Sequence, residues 1–122
     1  MPRQVLPEER IHPAIRDRVA QLHASTVTEV QQALAQHAVV VVGMAGNPFV
    51  RKARKLLDTA GVSHHYLGYG NYLSEWRRRN AIKMWTGWPT LPMVFVKGVL
   101  VGGADDLAAL VQSGGLASLL KA

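Results

Sequence analysis

The apolar residues near the start of the chain recur at helical spacing. Ile11, Ile15, Val19 and Leu22 are separated by four, four and three residues, which predicts one apolar stripe along a helix. Pro13 falls in the first turn of that helix, where proline is tolerated. The first ten residues show no such period, so we expect a loose arm followed by this helix.

A second helix is predicted directly afterwards. Thr26 and Glu29 have the spacing of a capping box, in which each side chain bonds to the backbone of the other residue. The pattern predicts a helix that opens at Thr26 and carries an apolar face of Val27, Val30, Ala33 and Leu34.

The middle of the chain predicts a strand, a helix and a second strand. Residues 38–42 form an unbroken apolar run, typical of a strand that is covered on both faces. A helix that ends at Gly61 is predicted next, and its apolar face consists of Phe49, Ala53, Leu56, Leu57 and Ala60. Residues 63–67 can return as a second strand, which indicates a right-handed parallel crossover.

The next segment predicts a basic helix and a hairpin. The helix is expected over residues 73–85, and its basic residues are Arg77, Arg78, Arg79 and Lys83. Two short apolar runs, 93–96 and 99–101, are joined by Lys97 and Gly98. This link predicts a hairpin, because glycine readily adopts the positive φ that a tight turn needs.

A last helix is expected after Gly102 and Gly103. Asp105 or Asp106 is predicted to cap it, and its apolar residues are Leu107, Leu110 and Val111. Gly114 and Gly115 then end the helix before a short amphipathic tail of Leu116, Leu119 and Leu120.

Length and composition indicate one globular domain. The chain has 122 residues, 18% of them charged, and the mean hydropathy is +0.05, which excludes a disordered tail or a fibrous protein. The longest apolar stretch, residues 38–46, is less than half of the roughly 20 residues that a membrane-spanning helix needs. We expect a soluble, unexported protein of the cytoplasm.

The chain contains no cysteine, and this count excludes whole classes of chemistry. Disulfides, thiolate metal sites and thiol nucleophiles all require the missing side chain. Fourteen Lys and Arg against eight Asp and Glu give a net charge of +6, which favours anionic partners in general.

The turn after the first predicted strand resembles the active-site turn of the glutaredoxin family. Residues 47–53 read Asn-Pro-Phe-Val-Arg-Lys-Ala, similar to the family's Cys-Pro-Tyr-Cys turn and the basic residues after it. Asn47 stands in the position of the nucleophilic cysteine and Val50 in that of the resolving one. Met44 stands where the family usually has a lysine.

Three later segments resemble the same family in the same order. Residues 79–90 contain Arg-x-x-Ile-Lys and Trp-Pro-Thr, similar to monothiol glutaredoxins. Residues 90–92, Thr-Leu-Pro, are similar to the family's Thr-Val-Pro with its cis proline. Residues 95–105 are similar to the family's hairpin and its Gly-Gly-Cys-Asp segment, with Ala104 in the cysteine position.

The resemblance covers about residues 27–120 and implies a fold. It implies an α/β, thioredoxin-like three-layer sandwich with a central four-stranded mixed sheet, extended here by an extra N-terminal helix. We therefore expect an N-terminal arm and helix over residues 1–24 and a glutaredoxin-like domain over residues 25–122.

Thiol chemistry is not expected despite the resemblance. Thiol–disulfide exchange requires a thiolate, and an asparagine amide has no comparable nucleophilicity. Monothiol members hold an iron–sulfur cluster through cysteine and glutathione. This chain has no cysteine thiolate to bind such a cluster, so no cofactor is expected. The sequence therefore predicts a binding or regulatory module that is not an enzyme.

The resemblance also implies a groove for glutathione as a possible ligand. The backbone of Leu91, beside Pro92, would pair with the cysteinyl unit. The amides of Ala104 and Asp105 would hold the γ-glutamyl end, while Arg79 and Lys83 would meet the glycyl carboxylate. The candidate site residues are Asn47, Arg79, Lys83, Leu91, Pro92, Ala104 and Asp105.

Several alternatives stay open at this stage. The fold alone also explains the residues of the predicted groove, with Asn47 as a helix N-cap. In that case the alternative function is binding of a protein partner without glutathione. The basic residues and three tryptophans permit a nucleic-acid site, namely Arg51, Lys52, Arg54, Lys55, Arg77, Arg78 and Arg79 with Trp76, Trp85 and Trp88. His64 and His65 point to opposite faces of a strand, so no metal site is expected. The helix over residues 13–22 would occlude the groove if it folded across it.

Overall fold

A computed structural model describes residues 2–121. In chain order its elements are a short 3-10 turn at Glu8–Arg10, α1 (Pro13–Gln21), α2 (Ala24–Gln36), β1 (Val39–Gly43), α3 (Pro48–Thr59), β2 (His65–Gly68), α4 (Trp76–Thr86), β3 (Met93–Val96), β4 (Val99–Gly102), α5 (Ala104–Gln112) and α6 (Gly115–Lys121). Within these residues no helix is long and apolar enough to cross a membrane.

The four strands form one mixed sheet in the order β2-β1-β3-β4. β1 runs parallel to β2, with α3 as the crossover, and antiparallel to β3, which pairs antiparallel with β4. All five residues of β1 are buried, because this central strand is covered on both faces. The α/β class and the four-stranded mixed sheet predicted from the sequence are confirmed.

Two clusters of buried side chains lie on opposite faces of the sheet. Alternate residues of β1 supply them, since successive side chains of a strand point to opposite faces. Val40 and Val42 pack with Val30 of α2 and Ile82 of α4. Val39 and Val41 belong to the second cluster, together with Ala53, Leu57, Val94, Leu107 and Leu116. The result is three layers, with α2 and α4 on one side and α3, α5 and α6 on the other.

The hairpin between β3 and β4 has the geometry that its sequence predicts. Lys97 and Gly98 both have positive φ, 51° and 77°, as a tight two-residue connection requires. A second special position, Gly102, has φ 119° and links β4 to α5. A Cβ atom there would lie 2.5 Å from Oδ2 of Asp106, so only glycine fits.

The predicted start of α2 is wrong. The helix begins at Ala24, after His23 in a left-handed conformation, and Thr26 lies buried inside it. The Thr26 hydroxyl accepts a hydrogen bond from Nε of Arg78 at 2.9 Å, and Glu29 accepts one from the Tyr69 hydroxyl at 2.6 Å. Both side chains thus make tertiary contacts in place of a capping box.

The predicted start of α4 is also wrong, by three residues. The Leu73 N–H donates to Oδ1 of Asn71 at 2.8 Å, which forms a turn, and Glu75 has a φ of 61°. A left-handed residue interrupts a right-handed helix, so α4 begins at Trp76. β2 likewise begins two residues later than predicted, at His65.

The N-terminal helix α1 forms as predicted but stays outside the core. None of its residues is buried, and Ile15, Val19 and Leu22 of its apolar stripe are exposed. Val19 and Leu22 lie beside Met84 and Trp85 of α4 and Val27 of α2. α1 is therefore placed beside the α2 and α4 layer.

Candidate ligand-binding groove

A cavity of about 470 Å³ lies where three segments meet at one end of the sheet. These segments are the turn from β1 into α3, the loop before β3 and the first turn of α5. The residues that line it are Met44, Asn47, Phe49, Tyr72, Lys83, Trp88, Pro89, Thr90, Leu91, Pro92, Gly103, Ala104, Asp105 and Asp106. The cavity brings together six of the seven predicted site residues, all except Arg79.

Asn47 caps the start of α3. Its side-chain Oδ1 accepts hydrogen bonds from the backbone N–H groups of Phe49 at 2.9 Å and Val50 at 3.1 Å. Pro48 occupies the first helical position, where a missing N–H costs nothing. The Asn47 carbonyl is therefore committed to holding the helix start.

The loop before β3 forms the opposite wall. The Leu91–Pro92 peptide bond is cis, and both residues are buried. Pro89 and Thr90, directly before them, are exposed along the cavity rim. Leu91 and Pro92 thus line the cavity together with residues of the α3 turn.

The start of α5 forms the third wall, and its cap differs from the prediction. Gly103, not an aspartate, occupies the N-cap position, and Asp106 accepts a hydrogen bond from the Gly103 N–H at 2.9 Å. Asp105 instead pairs with Lys52 of α3, with 2.9 Å between Oδ1 and Nζ. Asp105 is left at the cavity edge with its carboxylate beside a cation.

Arg79 does not line the cavity, although the sequence placed it beside Lys83. Its side chain is only 7% exposed, and Nη1 donates to the backbone carbonyls of Tyr69 and Ser74. Arg79 therefore fixes the loop between β2 and α4. Lys83, one turn later, is half-buried and does line the cavity.

The cavity has an apolar wall that sequence reasoning missed. Phe49 and Tyr72 are 55% and 66% exposed, and buried Met44 lines the same cavity. A Cβ atom at Gly46, the neighbour of Asn47, would lie 3.9 Å from the Tyr72 ring. The sequence placed Phe49 on the apolar face of α3 with Ala53 and Leu57, which are buried, whereas Phe49 is exposed and lines the cavity.

Trp88 adds a buried donor to the same wall. Its indole Nε1 is shielded from solvent and has no hydrogen-bond partner within residues 2–121. A Cβ atom placed on Gly103 would lie 3.9 Å from this nitrogen, so the start of α5 lies beside the indole ring. An unpaired buried donor costs about 1–3 kcal/mol, and this nitrogen reaches an acceptor in the cavity only if the ring moves to expose it.

A network beside the groove ties α2 to α4. The buried Tyr69 donates its hydroxyl proton to Glu29, and the Arg78 guanidinium lies 4.8 Å from the Tyr69 ring centre. Burial, and next the hydrogen bond to Glu29, raise the pKa of Tyr69 well above its usual range. The backbone N–H of Ala45 also bonds to Gly70, which anchors the Tyr72 side of the cavity to β1.

The histidines do not form a metal site in the part of the chain that the structure describes. His65 stacks on His37 with 4.1 Å between ring centres, while His64 lies 3.9 Å from Asp58. No group of three or more potential ligands is found across residues 2–121.

Several of the basic residues named as nucleic-acid candidates are engaged within the fold. Arg54 stacks on Tyr66, Arg78 contacts Tyr69, and Arg79 is buried. The tryptophans line three adjoining depressions. Trp88 lines the cavity above, Trp76 lines a depression that shares Lys83 with that cavity, and Trp85 lines one beside α1 and α2. The nucleic-acid site suggested as an alternative stays a hypothesis.

Comparison with known proteins identifies related sequences and folds. Residues 39–101 match the family model described as Glutaredoxin. The chain is 48% identical over 99 residues to a Dictyostelium discoideum "Glutaredoxin-like protein", covering 81% of this chain and 80% of that one. It is also 36% identical over 103 residues to a Schizosaccharomyces pombe protein named "Monothiol glutaredoxin-5, mitochondrial", covering 77% and 70% of the two chains.

A solved structure shares the fold. The crystal structure of a buckwheat glutaredoxin–glutathione complex superposes with a TM-score of 0.70 at 23% identity, covering 83% of this chain and 92% of that chain. The fold predicted from the resemblance is therefore confirmed. The cytoplasmic location expected from the sequence stays a prediction, and the fission yeast relative is named as mitochondrial.

Proposed function

This chain belongs to the glutaredoxin family, and from that premise we propose that it binds a glutathione-type ligand without exchanging thiols for disulfides. The observation that carries the proposal is the convergence of Asn47, Lys83, Leu91, Pro92, Ala104 and Asp105 on one cavity. These residues are distant in sequence, and the fold brings them to one place.

The chemistry of the groove supports binding without turnover. Exchange needs a thiolate that attacks a disulfide sulfur, and the chain has no cysteine. The side-chain oxygen of Asn47 already accepts two backbone N–H groups, so this residue serves as a cap. An iron–sulfur cluster does not fit either, because clusters are held by cysteine thiolates and no other sulfur ligand replaces them here.

The charges around the cavity match the two ends of glutathione. Its γ-glutamyl end carries an amine and a carboxylate, which would meet the Asp105 carboxylate and the N–H groups at the start of α5 beside Lys52. Its glycyl carboxylate would meet Lys83. The indole N–H of Trp88 is unpaired and shielded, so a movement of the ring toward the cavity would offer a donor to a ligand carbonyl between these ends.

An NMR titration of the isotopically labelled chain with reduced glutathione tests the proposal. We expect saturable shifts at Lys83, Leu91, Ala104 and Asp105, together with a downfield shift of the Trp88 indole proton. Lys83→Glu should weaken binding at least tenfold, whereas Lys121→Glu, on the last helix, should not. Absence of any shift at millimolar ligand would mean that only the scaffold is retained.

A protein partner without glutathione is the second candidate. The observation in its favour is exposed apolar surface outside the cavity, namely Leu73, which is 94% exposed and follows Tyr72 in the chain, and Val19 on α1. The two candidates differ in what Lys83→Glu removes. If glutathione binds the parent chain and Lys83→Glu removes that binding, the glutathione groove is supported. If the parent chain does not bind glutathione and Lys83→Glu removes capture of a protein, the protein partner is supported.

A further inference from the structure

We propose that the groove selects glutathione whose sulfur carries an apolar substituent, that is, a thioether conjugate, over free glutathione. This inference rests on the proposed function, because it assumes that the peptide part of the ligand occupies the cavity as described above. It adds the chemical class of the group attached to the sulfur.

The first argument is the apolar surface around Asn47. A ligand cysteinyl unit beside Leu91 and Pro92 directs its sulfur across the cavity toward the α3 turn. Met44, Phe49 and Tyr72 surround that turn, and the two aromatic rings are more than half exposed. A free thiol leaves these rings in water, whereas an alkyl or aryl substituent would cover them.

The second argument is the chemistry of position 47. A thiolate there would favour a ligand sulfur that can form a disulfide, and a thioether sulfur cannot. Asn47 forms no bond to sulfur, and its carbonyl is occupied by the N–H groups of Phe49 and Val50. Substitution on the ligand sulfur therefore forfeits no interaction with this chain.

The third argument is charge complementarity at the other side of the cavity. Lys83 and Asp105 line the cavity, and Lys52 lies 2.9 Å from Asp105 at its edge, so charges of both signs are available to the two carboxylates and the amine of the peptide part. A conjugate keeps these three charged groups unchanged. The charged side then fixes the ligand's orientation, and the apolar side distinguishes its substituent.

Isothermal titration calorimetry of the full chain with three ligands tests the inference. The ligands are reduced glutathione, S-methylglutathione and S-hexylglutathione. We expect the first two to bind within about twofold of each other and S-hexylglutathione to bind at least about tenfold more tightly, since each buried methylene adds severalfold in affinity. The heat-capacity change should also be more negative for the hexyl ligand.

Variants of the cavity residues test where the substituent on the ligand sulfur binds. The quantity compared is the ratio of the dissociation constants of S-methylglutathione and S-hexylglutathione. Phe49→Ser and Tyr72→Ser, both at exposed positions, should reduce this ratio toward one. Trp76→Ser, an exposed aromatic outside the cavity, should leave it unchanged.

The outcomes separate the two proposals. If glutathione binds and the hexyl group adds no affinity, the selectivity is disproved and the proposed function stands. If none of the three ligands binds, both proposals fail. A hexyl preference that survives Phe49→Ser and Tyr72→Ser would place the substituent elsewhere and would also overturn the inference.

Discussion

Nζ of Lys52 lies 2.9 Å from Oδ1 of Asp105 and joins α3 to the first turn of α5 at the edge of the groove. Their side chains are 50% and 83% exposed, so solvent screens the attraction and the pair contributes little to stability. Its effect is local. It holds a cation and an anion at fixed positions beside the N–H groups of a helix start, where a zwitterionic ligand end fits.

Asp105→Asn should therefore affect binding more than folding. We expect the free energy of unfolding to change by less than about 1 kcal/mol, since only an exposed pair and one first-turn charge are lost. Glutathione affinity should fall about fivefold to tenfold, because a charge-assisted hydrogen bond becomes a neutral one. Chemical denaturation and calorimetry measure the two effects, and Asp17→Asn on α1 is the control. An unchanged affinity would remove Asp105 from the site.

Arg79 and Lys83 should separate into a structural and a binding cation. Arg79→Ala leaves the carbonyls of Tyr69 and Ser74 without their donor, and we expect a loss of roughly 2–4 kcal/mol in unfolding free energy. Lys83→Ala should change stability by less than about 0.5 kcal/mol and weaken glutathione binding. Thermal melts paired with titrations test this contrast. Equal stability losses in the two variants would contradict it.

The sequence predicted the architecture well because strong local patterns carry it. The β-branched run of β1, the Lys97–Gly98 turn and the Asn47–Pro48 helix start each depend on neighbours within a few residues. The convergence of Asn47 and Leu91 on one cavity then followed from the family resemblance, since spacing alone does not bring them together.

The errors arose where tertiary contacts outweigh local signals. Thr26 and Glu29 fit a capping box, yet the hydroxyl of Thr26 bonds to Arg78 on another helix. Arg79 and Lys83 are spaced to lie on one helical face, yet the Arg79 guanidinium donates to the Tyr69 carbonyl in the loop before α4. The pairing of Lys52 with Asp105 was not predicted, because the two residues are 53 positions apart in sequence.

Tyr69 should make stability depend on alkaline pH. Burial, then its hydrogen bond to Glu29, raise the pKa of Tyr69 above its ordinary value of 10.0. The unfolded chain thus loses this proton first, so the stabilisation is complete below about pH 10 and is lost as pH rises further. Urea denaturation between pH 8 and about pH 11.5 should show the decline.

Tyr69→Phe tests the assignment of that decline. It should lower the unfolding free energy by roughly 1–3 kcal/mol near neutral pH, since the bond to the Glu29 carboxylate is lost. Its decline above pH 10 should be shallower than in the parent chain, with Tyr66 still contributing because burial raises its pKa as well. Tyr72→Phe, at an exposed position, should keep the parent slope. An identical slope in Tyr69→Phe would assign the decline to other groups.

Substitutions of Asn47 should test its role as the helix cap and the position of the ligand sulfur. Asn47→Ala removes the acceptor for the N–H groups of Phe49 and Val50 and should cost about 1 kcal/mol in unfolding free energy. Asn47→Ser restores a capping oxygen and should recover most of this loss. Chemical denaturation of the two variants measures the cap separately from any ligand.

Asn47→Cys places a thiol at the start of α3, where the helix N-terminus favours the thiolate. If glutathione lies in the groove with its sulfur toward position 47, this thiolate attacks oxidised glutathione, forms a mixed disulfide and releases one glutathione thiolate. Mass spectrometry should show the adduct forming at least about tenfold faster than in Thr59→Cys, whose thiol lies at the other end of α3, where the dipole disfavours the thiolate. Equal rates would mean that neither the helix start nor a bound ligand acts on position 47, and the sulfur would then have to lie elsewhere.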